Sequence, residues 1–496
     1  MKNQAFNPYL PLWEYVPDGE PHVFGNRVYV YGSHDMAHGS VFCLGDYVCW
    51  SAPADDLSDW KYEGVVFHRM DDPLNKDGRM VLYAPDVTQG PDGRYYIYYV
   101  YDKVSIVSVA ASDSPSGPFS FYGYVHYKDG TRLGEREGDQ VQFDPAVLTE
   151  GKKTYLYTAF CGRGMKDRIG AMATVLGPDM LTIEEDPRII VPGDCYSADP
   201  SKAYETASEL KCPYELCSTD KWTGYKDHEF FEASSIRKAG DKYYFVYSSS
   251  AAHELCYATS SSPTGGFTYG GVIVSNCDMH IGTYKAPDFP SARGANNHGG
   301  IEFINGQWYI FYHRHTNGTW YSRQGCAEKI VINADGSIPQ VEMTSCGLNG
   351  GALEGRGEYP AAIACNLFTE KPSAYVHPEV YPRITQDGRD NEDGSPCEEK
   401  DTSYIADIMP GTTIGFKYFD FKGVKRIGLK TRAYFQGDFE VRTSIEGPVL
   451  GKIKVDFTNF WETSYGEVNI PDGINALYLK FTGSGSGQLK SIILSV

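Results

Sequence analysis

Five times along its first 315 residues the chain repeats one short pattern. A turn-forming Gly or Asn leads into a segment rich in Tyr, Val, Ile and Phe. A single Asp, Glu or His stands eleven to thirteen residues ahead of that segment's aromatic centre. The segments are 27–31, 95–99, 154–157, 243–247 and 308–312, and the polar residues are Asp18, Asp86, Asp144, Glu232 and His298. Repeats made only of short strands predict blades set radially around an axis, and five of them predict a five-bladed β-propeller. Equivalent positions of all blades then converge on one mouth. Four carboxyl groups and an imidazole gathered there would make an active site.

Each aromatic segment, read as the innermost strand of its blade, is followed by a stretch that supplies outer strands. The plainest copies run from Ser112 through Pro115 and Gly117 to Phe119, and from Ser260 through Pro263 and Gly265 to Phe267, with residues 51–60 a looser relative. Ser-Pro followed by Gly marks a tight turn before the last strand of a blade. Residues 186–228 carry no clear strand period and are expected to form an insertion over the mouth that helps shape a pocket. The fifth blade should end near Met343. A polar, acidic stretch over 384–402 reads as a loop, and the runs 414–419, 439–443 and 476–481 alternate like the strands of a sandwich. The expected organisation is therefore all-β: a propeller over residues 1–368, then a β-sandwich over 369–496.

Aromatic residues at 14%, with 38 Tyr, 53 Gly and 28 Pro, suit twisted strands and turns better than helices. A net charge of -19 repels nucleic acid and anionic membranes, so a neutral ligand is expected. No apolar run is long enough to span a bilayer. The first eight residues lack the apolar core of a secretory signal, and a cytoplasmic location is expected. Twelve Cys are scattered without a paired framework, and Cys212 and Cys217 lack a second pair to complete a zinc site. They read as reduced core thiols.

Asp18 lies in Pro17-Asp18-Gly19, Asp144 in Phe143-Asp144-Pro145 and Glu232 in Phe231-Glu232-Ala233. Any one of them alone would read as a turn or cap residue. Their shared offset from the repeat argues that all three reach one bound sugar. Inverting glycoside hydrolysis needs an ionised carboxylate to activate water and a protonated one to serve the leaving oxygen, roughly 6.5–9.5 Å apart. Asp144 close to Glu232 would raise the latter's pKa by like-charge repulsion. Glu229 is the rival acid, but alternation along the strand would turn it to the opposite face.

Together with Asn7-Pro8, Ala84-Pro85-Asp86 and Ile236-Arg237-Lys238, these motifs resemble glycoside hydrolase family 43 over about residues 7–345. The resemblance implies five-bladed enzymes that cleave arabinofuranosyl and xylosyl linkages with inversion and need no cofactor for the chemistry. It implies Asp18 as general base, Asp144 as the residue that tunes a neighbour's pKa and orients substrate, and Glu232 as general acid. Arg323 resembles the family's pocket arginine, and Tyr83 stands where the family often has Trp. His298 is implied to face the axis, where a calcium ion or water cluster is often held. It could be the sole protein ligand only if waters completed the shell. Asp86 reads as a blade-closing hydrogen-bond residue.

Tyr83 and Trp222, beside the acid-bearing segments, are the expected stacking surfaces for sugar. The pattern from Tyr404-Ile405-Ala406-Asp407 to Gly415-Phe416 and 476–481 is similar to carbohydrate-binding module family 6, with Phe460-Trp461 either binding glycan or packing on the propeller. The expected substrate is an arabino- or xylo-oligosaccharide attacked from its non-reducing end. Two alternatives stand beside this reading: a retaining fructan or sucrose hydrolase on the same propeller, and a non-catalytic glycan-binding propeller. The sequence leaves the sugar and the oligomeric state open.

Overall fold

The computed structural model describes residues 4–162, 169–194, 215–216, 222, 224–369, 382–387 and 402–496. Most of the expected pocket-shaping insertion, residues 195–214, 217–221 and 223, lies outside the described residues. The remainder is all-β, a five-bladed propeller followed by a sandwich.

Blade 1 pairs Glu20–Phe24, Arg27–Tyr31, Tyr47–Pro53 and Lys61–Phe67 in order, and blade 2 pairs Asp86–Gln89, Tyr95–Tyr99, Ser108–Ser112 and Ser120–Tyr124. Blade 3 begins with Ala146–Glu150, blade 4 with Phe230–Ala239 and blade 5 with Ile301–Ile304. Each of these first strands touches the first strands of both neighbouring blades, which closes the ring. The aromatic segments are therefore second strands, one layer out from the axis. Their Tyr and Val side chains are buried between blades, as in the cluster of Tyr96, Tyr98, Val147 and Leu156. Such burial on both faces gives the apolar composition that reads as innermost.

The ring is tied across its axis by polar side chains. Asp86 accepts a hydrogen bond from Val147 N at 2.7 Å and lies 2.6 Å from His22 Nε2, joining blades 1, 2 and 3. Arg237 of blade 4 donates to Glu20 of blade 1 at 3.1 Å and to Glu302 of blade 5 at 2.9 Å. Gly300 lies beside this network: a Cβ there would meet Ser235 Oγ at 2.4 Å. Blade 5 has three described strands, Ile301–Ile304, Gln307–His315 and Arg323–Ile330, and the N-terminal segment lies beside the last of them, Tyr9 N donating to Gly325 O at 3.2 Å. Asn7 acts as a surrogate backbone there. Its Nδ2 donates to Ala327 O at 3.0 Å and its Oδ1 accepts from Ala327 N at 2.9 Å.

The sandwich begins earlier than residue 369. Leu353–Glu354, Gly357–Pro360 and Asn366–Thr369 all pair with its strands, because their backbone groups find partners only there. Its core joins Phe416, Phe439, Leu477, Phe481, Ile492 and Leu494 between two sheets. The buried Lys417 reaches into the propeller to Asp278 at 3.0 Å and Glu342 at 3.5 Å. No disulfide occurs among the described residues, where eight cysteines are free.

Asn7→Ala should destabilise the propeller by on the order of 2–3 kcal/mol, since it strips partners from both backbone groups of Ala327. A fall of several degrees in Tm, read by calorimetry, is the expected result.

Candidate active site

Two of the three acids, and the residue after the third, take unusual backbone conformations. Asp18 and Asp144 have φ of 57° and 42°, and Ala233 has φ of 69°. This left-handed region is rare outside glycine, is tolerated best by Asp and Asn, and gathers at functional sites. Glu232 sits inside the first strand of blade 4, where pairing with the next strand slips on either side of it. The resulting bulge redirects its side chain toward the axis mouth. Gly32 packs against the Asp18 turn so closely that a Cβ would lie 2.1 Å from Pro17 O.

Asp18, Asp144, Glu232, Tyr83, His298 and Arg323 line one cavity of about 380 Å³. Its other walls include Phe42, Phe143, Phe160, Phe231, His253 and Trp320. Trp222 is not among them. Its indole is 1% exposed and packs with Tyr225 and Phe230 in the core between blades 3 and 4, so the expected stacking role falls away. Glu229 is also off the pocket, accepting a hydrogen bond from Ser250 Oγ at 3.0 Å.

Arg323 is buried, not a solvated strand end. Its Nη1 donates to Asp18 Oδ1 at 2.7 Å, and its Nε and Nη2 grip Asp35 at 2.8 and 3.1 Å. His313 Nδ1 lies 3.2 Å from Asp18 Oδ1. Burial opposes ionisation of Asp18, but the Arg323 guanidinium and His313 outweigh it and hold this carboxyl well below the usual range. Glu232 is the reverse case. Burial, then the negative charge of Asp18, pushes it up to about 8 against the pull of Arg323. Asp144 is also raised well above the ordinary range, by burial and then by Glu232 and Asp18.

The Asp144 carboxylate accepts the Ala233 N–H at 3.1 Å, and so fixes the backbone next to Glu232. Burial is the largest cause of the rise at Glu232, followed by the negative charge of Asp18, and Glu232 and Asp144 also repel each other as like charges. His298 lies 3.6 Å from Asp144 through Nδ1 and 4.0 Å from Glu20 through Nε2, and burial lowers its pKa to about 4. His253 Nδ1 is 3.8 Å from Glu232 Oε1. Sequence reasoning missed Asp35, His253, His313 and Trp320. Only His313 carried a signal, as a polar residue extending the aromatic run 308–312.

A cavity that sets a carboxyl held ionised, Asp18, beside one held protonated, Glu232, has the equipment of a glycoside hydrolase. Residues 17–338 match the family model of glycosyl hydrolases family 43, and the chain belongs to that family. It is 60% identical over 500 aligned residues to a xylosidase/arabinosidase of Thermoclostridium stercorarium, covering 100% of this chain and 99% of that one. A xylosidase/arabinosidase of Bacteroides ovatus is 29% identical over 366 residues, covering 67% of this chain and 97% of that one. Among solved structures, a family 43 arabinoxylan arabinofuranohydrolase from Bacillus subtilis shares the fold over 99% of this chain and 97% of its own, with a TM-score of 0.51 at 21% identity. A family 43 β-xylosidase/α-arabinofuranosidase from a compost microbial metagenome covers 68% of this chain and 98% of its own, with a TM-score of 0.50 at 26% identity.

Arg323→Met would leave Asp18 and Asp35 buried without their cation, a loss of about 3–5 kcal/mol. Thermal unfolding should register it as a large drop in Tm, and restoring the charge with Arg323→Lys should recover part of it.

Proposed function

We propose that this enzyme is an inverting, exo-acting hydrolase that releases arabinose or xylose from the non-reducing end of plant-cell-wall oligosaccharides. The observation that carries this reading is the opposite charging of two carboxyls on one cavity, with Asp18 held ionised and Glu232 held protonated. The names of the relatives, xylosidase/arabinosidase in two organisms, support the sugar class. The family assignment favours this reading over a fructan hydrolase or a non-catalytic propeller.

In this mechanism Asp18 takes a proton from a water whose oxygen attacks the anomeric carbon. The glycosidic bond breaks as Glu232 gives its proton to the leaving oxygen. Exchange with solvent then returns one proton to Glu232 and removes one from Asp18. Arg323 and His313 keep Asp18 charged despite its burial. Asp144 positions the acid through the Ala233 amide. Tyr83, Phe42 and Trp320 offer aromatic walls to the sugar.

The proposal includes a structural calcium near the axis. Glu20 Oε1 and His298 Nε2 are both buried, lie 4.0 Å apart and have no hydrogen-bond partner among the described residues. One carboxylate oxygen and one imidazole fit a calcium ion that keeps most of its water. Bound there it would brace the floor of the pocket and take no part in proton transfer. The sandwich is proposed to bind glycan as a carbohydrate-binding module does. Phe460 is 77% exposed and does not pack on the propeller, while Trp461 packs on Tyr404 and under Arg432.

Asp18→Asn and Glu232→Gln should each lower turnover by roughly 10²–10⁴-fold with the fold intact. Aryl arabinosides and xylosides with good leaving groups should rescue the Glu232 variant more than the Asp18 variant. NMR of the first-formed sugar should reveal the anomer opposite to the substrate, and a retained anomer would refute the water-attack scheme.

In the wild type, kcat/KM should fall above about pH 8, as the raised Glu232 carboxyl loses its proton. Asp144→Ala should reduce kcat yet leave that limb in place, because burial and Asp18 still act on Glu232. A limb displaced by a full pH unit would return the tuning role to Asp144.

A further inference from the structure

Away from the pocket, three side chains of blade 4 converge on one point. His228 precedes the strand Phe230–Ala239, Glu254 precedes the strand Leu255–Ser260, and Cys256 lies within the latter. A ring nitrogen, a carboxylate oxygen and a sulfur from these residues lie within 4.8 Å of one another. His228 Nδ1 is 2.8 Å from Glu254 Oε1 and 3.9 Å from Cys256 Sγ. Glu254 and Cys256 are fully buried, and the imidazole is 25% exposed. Glu254 Oε2 is buried without a hydrogen-bond partner, and among the described residues no Lys or Arg forms an ion pair with this carboxylate. A buried carboxylate oxygen left without a donor is costly, and a bound cation would remove that cost.

We propose that His228, Glu254 and Cys256 form a binding site for Zn²⁺, with water in the fourth position. Sulfur, imidazole nitrogen and carboxylate oxygen together suit zinc, whereas calcium and magnesium avoid thiolate. Around a tetrahedral zinc, with bonds of about 2.0–2.3 Å, such donor atoms lie roughly 3.3–3.6 Å apart. The observed 2.8 and 3.9 Å bracket that spacing, so small side-chain shifts complete the site. On binding, the Cys256 thiol loses its proton to solvent. The imidazole carries its single proton on Nε2, leaving the Nδ1 lone pair for the metal. The partly exposed edge of His228 is the entry path.

The site bears on the catalytic acid through its chain neighbours. His228 stands four residues before Glu232, in the segment that leads into the strand carrying it. Glu254 directly follows His253, whose ring nitrogen is 3.8 Å from Glu232. Zinc would clamp the 249–254 turn to the strand that carries the acid.

The test uses the full chain, stripped with a chelator, desalted, and titrated with ZnCl₂ alone. Retained zinc is counted by elemental mass spectrometry and Tm is followed in parallel. The wild type should keep one equivalent and gain several degrees in Tm. Cys256→Ser and Glu254→Gln should lose both effects. Co²⁺ in place of zinc should give a thiolate charge-transfer band that is absent from Cys256→Ser. Should Glu254→Gln fail to fold, Cys256→Ser, which exchanges only sulfur for oxygen, decides the matter. No zinc retained by the wild type, or equal zinc and equal Tm gain in Cys256→Ser, would overturn the proposal.

Discussion

Arg323 crosses the seam between the last blade and the first, and the charge pattern of the pocket follows from that contact. One guanidinium holds two buried carboxylates of blade 1, Asp18 and Asp35. With it in place, Asp18 stays ionised despite burial. The anion at Asp18 then adds to the burial that keeps Glu232 protonated. Two carboxyls on one cavity are thereby driven apart in proton affinity by one cation that favours the nearer of them. Closing the ring and charging Asp18 are the same interaction.

The axis below the pocket obeys a different constraint. First strands packed around an axis bring polar groups into a space too narrow for bulk water, so each needs a partner. Asp86, His22, Glu20, Arg237 and Glu302 supply these to one another across four blades, and Asp86 reaches a backbone amide of the remaining one. Glu20 Oε1 and His298 Nε2 are left over at the pocket floor, the end at which waters or a cation would complete the network.

The sandwich is held against the propeller by comparable chemistry. Lys417 is buried, and its ammonium meets Asp278 and Glu342 beneath the ring of Tyr284. Asn366 donates to Ser291 Oγ at 3.0 Å, and Asn317 N donates to Ile384 O at 2.7 Å. A buried ion pair that loses one partner is strongly unfavourable. The two domains therefore behave as a unit where these residues meet.

Repeat spacing made the five blades and the three acids legible, because one side-chain offset recurs wherever one backbone geometry recurs. The sandwich strands could be read from alternation at 414–419, 439–443 and 476–481, since an antiparallel strand buries every second residue. Composition could not rank strands by distance from the axis, as second strands are as enclosed as first ones. Nor could it place the domain join, which depends on where the backbone of 353–369 finds its hydrogen bonds. Trp222 is near Glu232 in sequence yet faces the core, whereas His253 lines the pocket and Asp35 and His313 act from behind its wall, through Arg323 and Asp18. Sequence by itself determined the repeat, the fold class and the acids, because these follow from local pattern. Only the tertiary structure decided which acid is charged, because that depends on burial and on a guanidinium brought from more than three hundred residues away.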